Sequence, residues 1–255
     1  MLQLIDSHCH FDVSEFDADR NAALMRAREA GVIDQVLPAI DAAGWPKLRD
    51  LCAREKDLHP AYGLHPIFLE SHRPEHLDEL ATWLQRERPV AVGECGLDFY
   101  IEGLDGEAQR RYFRRQLELA KEFDLPLILH ARRAVEEVIA TLREIGGLRG
   151  VVHSYSGSLE QARQLWKLGF FLGFGGPITY ERARRLREIV SEMPAEFLLL
   201  ETDSPDQPLA THRGERNEPA FLGEVLHAAA TLRGEDAGEL AAITTANARR
   251  LFGLA

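Results

Sequence analysis

The sequence predicts a protein of the α/β class, built as a (β/α)8 TIM barrel, and three observations lead to that prediction. Eight short apolar runs recur along the chain, most are followed by an amphipathic helical segment, and six of them end at a His, Glu or Asp. The length of 255 residues is close to the roughly 250 that one such barrel uses. We therefore expect a single domain that spans residues 1–255.

The predicted strands are rich in Val, Ile and Leu, as is typical of parallel strands that are buried on both faces. The stretch between each strand end and the next is long enough for one right-handed strand–helix–strand crossover. In chain order the predicted strands are Leu2–Ser7, Asp34–Pro38, Ala61–Leu64, Val90–Gly93, Leu125–Leu129, Val151–Val152, Phe170–Phe174 and Phe197–Glu201.

The predicted helices lie between these strands and after the last one. The clearest is Glu107–Phe123, where apolar side chains recur at spacings of three and four residues. A doubly wound open sheet is the alternative fold, but it usually has a glycine-rich turn after strand 1, where this chain has Ser-His-Cys-His. The other predicted helices are Asp17–Ala30, Pro74–Arg86, Arg133–Ile145, Leu159–Leu168, Glu181–Ser191, Pro219–Leu232 and Asp236–Phe252.

Charge and cysteine content exclude several classes of protein. The formal net charge of −11 argues against a protein that coats duplex nucleic acid, but an enzyme could still bind one strand end in a locally positive pocket. Three cysteines without Cys-x-x-Cys spacing exclude a disulfide scaffold and a zinc ribbon, and they suit the cytoplasm, where we expect the protein. No apolar run is long enough for a membrane span, and no obligate protein partner is evident.

The end of the first strand carries two histidines in the pattern His-x-His. Because side chains alternate along a strand, His8 and His10 point to the same side, toward the mouth of the predicted barrel. Two imidazoles that converge in this way form half of a metal site. The structural alternative is a pair of interior histidines that satisfy each other by hydrogen bonding.

Four further polar residues end strands 4, 5, 6 and 8, and each has a structural alternative. Glu94 could pair with an arginine, His130 and His153 could be structural, and Asp203 could cap a helix. Taken together with the first strand, they place four imidazoles and two carboxylates on one rim. That number predicts two divalent metals that share one bridging carboxylate, in a metal site at the C-terminal face of the strands.

An ordered set of motifs between residues 5 and 219 resembles the TatD family of metal-dependent deoxyribonucleases and related hydrolases, within the amidohydrolase-like metal barrels. As a set in this order the motifs are highly specific, although no single one is. They are Ile5–His10, Gly63–Pro66, Val92–Asp98, Leu129–Arg132, His153–Gly157, Glu201–Pro205 and Arg213–Pro219.

The resemblance implies two divalent metal ions, with zinc, manganese and magnesium as candidates. In many related amidohydrolases a carboxylated lysine bridges the metals, but the four lysines of this chain lie in predicted helices or loops. The bridge therefore falls to a glutamate, as in the TatD pattern. The implied ligands are His8, His10 and Asp203 for one metal, His130 and His153 for the second, and Glu94 between them.

The activity that the resemblance implies is hydrolysis by metal-activated water, as in a 3′-5′ deoxyribonuclease or other phosphodiesterase. Asp203 is the expected general base, and Glu94 is the second expected catalytic residue. We expect His65, Arg132 and Arg213 to bind the substrate, because arginine forks match phosphate or carboxylate oxygens; solvated loop arginines are the alternative. The expected partner is a single-stranded DNA end, or a small phosphoester or acyl substrate.

Two other functions remain open from the sequence. The same binuclear site could serve an amide or ester hydrolase, such as a deacylase acting on small or tRNA-linked substrates. A metal-stabilised barrel without activity is the third reading, and the presence of every expected ligand disfavours it. The segment Ser204–His212 departs from the family pattern, because it contains Asp206 and no aromatic ring that could stack on a base.

Overall fold

Eight strands form one parallel sheet in the computed structural model, which describes residues 2–255. Each strand pairs with the next one in the sequence, from the first to the eighth, as a (β/α)8 barrel requires. The predicted fold class is therefore confirmed. The strands are Leu4–Asp6 (β1), Val32–Pro38 (β2), Leu58–Tyr62 (β3), Ala91–Asp98 (β4), Leu127–Arg132 (β5), Gly150–Val152 (β6), Phe170–Phe174 (β7) and Leu198–Leu200 (β8).

The ends of β1 and β8 meet and nearly close the barrel. The backbone N–H of Ser7 donates to the carbonyl of Leu200 at 3.1 Å, and the N–H of Asp203 donates to the carbonyl of His8 at 2.9 Å. These two bonds lie just beyond the strands, on the segments that carry the predicted ligands. The closure therefore brings the first and last ligand segments together.

Nine helices surround the sheet or follow it within residues 2–255. Helix α2 lies between β2 and β3, where the sequence pattern predicts no bounded helix. It has only eight residues, little more than two turns, so its apolar spacing gives a weak signal. Its first residue, Trp45, packs in the core. The helices are Arg20–Glu29 (α1), Trp45–Cys52 (α2), Glu75–Glu87 (α3), Gly106–Glu122 (α4), Val135–Ile145 (α5), Leu159–Lys167 (α6), Arg184–Glu192 (α7), Leu222–Arg233 (α8) and Ala237–Phe252 (α9).

A compact apolar cluster fills the barrel at the N-terminal ends of its strands. Each strand contributes one buried side chain, and α9 adds three more from below. Asn247 on α9 donates to the carbonyl of Leu198 at 2.9 Å, and Thr245 donates to the carbonyl of Gln3 at 2.8 Å. The helix thus covers the barrel floor. The cluster comprises Ile5, Val36, Ala61, Ala91, Ile128, Val151, Phe171, Leu199, Ala248, Leu251 and Phe252.

A second and larger apolar core lies between the strands and the surrounding helices. It includes Cys9 and Cys95, whose side chains are fully buried beside predicted ligands, as expected for small thiols that point away from the barrel mouth. With the floor and the outer layer filled, the C-terminal ends of the strands are left open. Within residues 2–255, no helix has the length and apolar character that a membrane crossing would need.

Candidate active site

A cleft of about 910 Å³ opens at the C-terminal ends of the strands. Five of the six predicted metal ligands line it, and the sixth, His8, is buried directly beside them with no exposed surface. The structure therefore brings together all six residues, which come from five different strand ends. The lining ligands are His10, Glu94, His130, His153 and Asp203.

One oxygen of Glu94 faces the two histidines at the end of β1. Its Oε2 lies 3.3 Å from Nε2 of His8 and 3.4 Å from Nε2 of His10. The Oδ1 atom of Asp203 approaches the same two nitrogens, at 3.4 Å from His8 and 3.7 Å from His10. These four side chains form a first group of donor atoms.

The other oxygen of Glu94 faces a second group of imidazoles. Its Oε1 lies 3.1 Å from Nδ1 of His130 and 2.8 Å from Nε2 of His153. Nε2 of His65 is equally near, at 3.0 Å, so His65 lies against the ligands themselves. Each carboxylate oxygen of Glu94 thus belongs to a different donor group, which is the arrangement of a bridging ligand.

Strand alternation and neighbouring strands fix the orientation of the first pair. His8 and His10 are two residues apart, and their Nε2 atoms lie 3.3 Å from each other. The ring of His10 is held from behind, because its Nδ1 lies 3.2 Å from the carbonyl of Pro38 at the end of β2. The ring of His8 stacks on that of His153 with centroids 3.8 Å apart, which connects the two donor groups.

Glycines allow the strand that carries Glu94 to approach its neighbours. Gly96 lies opposite His130 in the ladder between β4 and β5 and has a φ of +147°, a conformation that favours glycine. A Cβ atom at this position would collide with the backbone carbonyl of His130. The missing side chain therefore lets His130 and Glu94 come within bonding range.

One ionised carboxylate surrounded by imidazoles sets the charge states of the site. Burial alone would raise the pKa of Glu94, but the imidazoles around it, chiefly His153 and His65, hold that pKa well below its usual range. Burial lowers the pKa of His8, and it lowers the pKa of His65 to about 4. Burial also opposes protonation of His10, His130 and His153, but hydrogen bonds and charge from neighbouring carboxylates raise the pKa of each, that of His10 to about 9. Because histidine binds a metal as neutral imidazole, cation binding at this site would release protons.

The donor atoms fit a divalent cation better than they fit the structural alternatives. Glu94 Oε2 is buried without a hydrogen-bond partner, and within residues 2–255 no arginine pairs with this carboxylate. Asp203 caps no helix, since its carboxylate faces His8 and Gln207. Three sets of donor atoms each lie within 4.8 Å of one another: His8, His10 and Glu94; His65, Glu94 and His130; and His8, His153 and Glu201.

Two acidic residues that the sequence analysis did not single out support the histidines from behind. Asp98 Oδ2 lies 2.9 Å from Nε2 of His130, which leaves Nδ1 of that ring facing Glu94. Glu201 is fully buried, accepts the backbone N–H of Ser154 at 2.6 Å and lies 3.7 Å from Nδ1 of His153. Asp98 follows Glu94 by four residues on one strand, and that even spacing is a signal that could have found it.

The predicted substrate-binding residues have different positions. His65 and Arg132 line the cleft. Arg213 is exposed and is not among the cleft-lining residues in the part of the chain that the structure describes, so its role stays a prediction. Arg216, from the same motif, is held by Asp19, with one guanidinium nitrogen 2.7 Å from the Asp19 carboxylate.

Comparison with known proteins decides the family. The family described as TatD related DNase matches residues 5–253. The chain belongs to the TatD family. Among TatD-family relatives it is 41% identical, over 253 residues, to the uncharacterized metal-dependent hydrolase YjjV of Escherichia coli K12, covering 98% of each chain. It is also 39% identical over 269 residues to the 3′-5′ ssDNA/RNA exonuclease TatD of Erwinia tasmaniensis, covering 98% of this chain and 100% of that one.

The solved structures agree with this placement in the TatD family. The crystal structure of YjjV, a TatD homologue from Escherichia coli, superimposes with a TM-score of 0.95 at 39% identity, covering 99% of this chain and 98% of that one. The family match, these relatives and the histidine–carboxylate site agree with one another. The protein is a metal-dependent hydrolase of the TatD type that acts on ester bonds, and it takes a divalent metal.

Proposed function

We propose that this TatD-type hydrolase removes nucleotides from the 3′ end of single-stranded DNA and uses two divalent cations to do so. The observation that carries the proposal is that the two carboxylate oxygens of Glu94 face two different groups of donor atoms. The name of the Erwinia tasmaniensis relative, a 3′-5′ ssDNA/RNA exonuclease, supports the choice of substrate.

The residues of the chain can be assigned to two cation sites. His8, His10 and Asp203 would hold one cation, His130 and His153 the other, and Glu94 would bridge them. Imidazole and carboxylate ligands are compatible with zinc, manganese or magnesium. When bound, such cations lower the pKa of water and stabilise the charge that develops on phosphoryl oxygens.

Asp203 would accept a proton from the attacking water. Burial raises the pKa of its carboxyl to about 6, close to the pH at which a general base works best. Its Oδ2 atom receives a hydrogen bond from Gln207, which fixes the carboxylate over the cleft. The water oxygen bonds to phosphorus while the bond from phosphorus to the 3′ oxygen of the preceding nucleotide breaks. That 3′ oxygen then takes up a proton.

Arg132 and His65 would bind the phosphate of the substrate. Both line the cleft, and Nε2 of His65 lies 3.0 Å from Glu94. The guanidinium carbon of Arg132 lies over the ring of Tyr100, 3.6 Å from the ring centroid, as in a cation–π contact. A guanidinium fixed in this way keeps its N–H groups free for two parallel bonds to phosphate oxygens.

The test is hydrolysis of a single-stranded DNA labelled at its 5′ end, by protein reloaded with magnesium, manganese or zinc. We expect stepwise shortening from the 3′ end by the wild type and a loss of at least about 100-fold with Asp203→Asn, because the general base is removed. Asp50→Asn, which changes an exposed carboxylate outside the cleft, is the matched control and should keep full activity. A metal-loaded wild type that leaves the strand intact would overturn the proposal.

A second candidate function is hydrolysis of an ester or amide of a small acyl compound. One wall of the cleft favours it, because the partly exposed side chains of Pro177 and Leu186 offer an apolar surface in the cleft, while Asp206 adds negative charge. An acyl chain would bury apolar area against that wall. Turnover of acyl esters by a metal-loaded protein that leaves DNA intact would select this function over the first.

A further inference from the structure

The large apolar side chains that the structure exposes are concentrated near the cleft. Three of the five lie on the loops that follow β3 and β4, which rise from the same face as the metal ligands. Exposed apolar surface that gathers in one place marks a binding surface more often than scattered residues do. The three are Phe68, Tyr100 and Ile101; the other two, Met25 and Ile243, lie on helices α1 and α9.

Phe68 is the member of this group that borders the catalytic residues directly. It lines the cleft, and its side chain is 37% exposed. The centroid of its ring is 5.6 Å from that of His65, whose Nε2 contacts Glu94. The two rings are inclined by 73°, as in an edge-to-face pair, so they do not stack face to face. A partly exposed aromatic ring therefore borders the reacting centre and is accessible to another planar group from the cleft.

Tyr100 and Arg132 form the next part of the same rim. One face of the Tyr100 ring carries the guanidinium of Arg132, and that of Arg133 lies 4.7 Å from the same centroid. Within residues 2–255, neither arginine has a carboxylate within salt-bridge distance, so their positive charge is not neutralised by the protein. A ring and an unpaired cation side by side match the base and the phosphate of one nucleotide.

Resting on the proposed function, we propose that Phe68 is the stacking platform for the base of the nucleotide at the 3′ end. Arg132, held over the ring of Tyr100, would bind a phosphate of the same strand. This rim would take the place of the aromatic residue that segment Ser204–His212 lacks. The enzyme would then require an unstacked base at the end but accept any base, because every base has a π face.

Removing the Phe68 ring or the 3′ base should lower kcat/KM by a similar factor, and removing both should lower it little further. For each enzyme, kcat/KM on a strand with a normal 3′ nucleotide is divided by kcat/KM on a strand with an abasic 3′ end. We expect Phe68→Ala to lower this ratio by about tenfold. Ile243→Ala is the matched control, since Ile243 is equally exposed, at 37%, but lies on α9, which covers the opposite end of the barrel. An unchanged ratio for Phe68→Ala would overturn the stacking inference.

A binding measurement tests the contact independently of turnover. An oligonucleotide with 2-aminopurine at its 3′ end is bound to metal-loaded Asp203→Asn protein, and stacking on a ring should quench the fluorescence of that base. We expect the quench to disappear with Phe68→Ala and to persist with Phe68→Trp. A quench that does not depend on Phe68 overturns this inference alone, whereas a strand that neither binds nor is cleaved overturns the proposed function as well. Circular dichroism establishes that each variant folds.

Discussion

Asp98 holds the imidazole of His130 from the side opposite Glu94. Burial opposes the negative charge of Asp98, but the hydrogen bond from His130 and two backbone N–H groups keep the pKa of this carboxyl below its usual range. Its Oδ1 atom accepts from the N–H groups of Tyr100 and Ile101, and its Oδ2 atom faces His130. One carboxylate thus orders both the rim loop and a predicted ligand.

Asp98→Asn is expected to weaken metal binding by about 10- to 100-fold, because an amide N–H₂ cannot accept the proton of His130 Nε2. The amide oxygen can still accept from the loop, so thermal stability without metal should change little. Isothermal titration with manganese or zinc measures the affinity, and Asp50→Asn serves as the exposed control. Unchanged affinity in Asp98→Asn would show that His130 does not depend on this partner.

The sequence predicts the six ligands and misses two of their supports for a physical reason. Each ligand ends an apolar run, so its position relative to the rim follows from strand alternation and barrel geometry. Asp98 contacts His130, and Glu201 contacts His153, and in each case the two residues belong to different strand ends. The even spacing from Glu94 indicates that Asp98 faces the rim, but the partners of Asp98 and Glu201 depend on ladder register, which periodicity in one strand does not reveal. The roles of the ligands themselves stay predictions until metal is bound.

At the level of elements, β4 and β5 are the strands whose contact defines the site. They share the longest ladder, with Gly96 opposite His130 and Asp98 opposite Arg132. The register shifts between Val92 and Cys95, on either side of Glu94. An irregularity at this point re-aims a side chain, as is common next to active sites. Glu94 and Arg132, the proposed bridging ligand and the proposed phosphate-binding residue, are therefore positioned by the same pair of strands.

Gly96→Ala is expected to lower the free energy of unfolding by about 2–4 kcal/mol, because the new Cβ collides with the His130 carbonyl at a φ of +147°. Gly223→Ala is the matched control: this glycine begins α8 with open space around it, so stability should stay the same or rise by up to about 1 kcal/mol. Urea denaturation measures both. Equal stability of the two variants would refute the close approach of β4 and β5.

Element boundaries show what periodicity can and cannot predict. Helices α1, α7 and α8 each begin three residues later than predicted, at Arg20, Arg184 and Leu222. Before α8, the three residues Pro219–Phe221 that were predicted to be helical form a 3-10 turn. Such turns continue the apolar spacing of a helix without its hydrogen bonds, so the sequence pattern extends beyond the helix itself.

For the molecule as a whole, a charged network joins the first helix to the loop after β8. Arg216 donates both guanidinium nitrogens to Asp19, at 2.7 and 2.9 Å. Arg26 on α1 bonds to the same Asp19 at 3.0 Å and to Glu218 at 2.6 Å. The hydrogen bonds from Arg216 and Arg26 hold the pKa of Asp19 well below its usual range. Residues almost 200 positions apart are thus linked across the barrel closure.

Asp19→Asn is expected to destabilise the protein by about 1 kcal/mol at pH 7, a modest value because the pair is partly exposed. A carboxyl whose pKa is lowered by folding stabilises the fold above its unfolded pKa of about 3.9, and that contribution is lost as the pH falls below it. The difference between wild type and variant should therefore shrink between pH 5 and pH 3. Denaturant unfolding at several pH values measures it, and a difference independent of pH would contradict the assignment.

The overall architecture was the most predictable property of the chain. Buried parallel strands and their intervals specify an eight-stranded barrel without knowledge of any single contact. The rim was the least predictable, because Phe68 and Tyr100 lie on loops whose conformation has no sequence period. The aromatic surface that the segment after Asp203 lacks thus lies on loops elsewhere around the same opening.

The helix beneath the barrel has a consequence for how the protein is made. The hydrogen bond between Thr245 and Gln3 joins positions 242 residues apart. The free edge of β1 is likewise covered only when β8 has formed. While a ribosome is still extending the chain, the segment that carries His8 and His10 has neither partner, because such distant contacts form last. A chain that ends before α9 lacks the helix that covers the barrel floor, so we expect it to assemble the candidate metal centre incompletely.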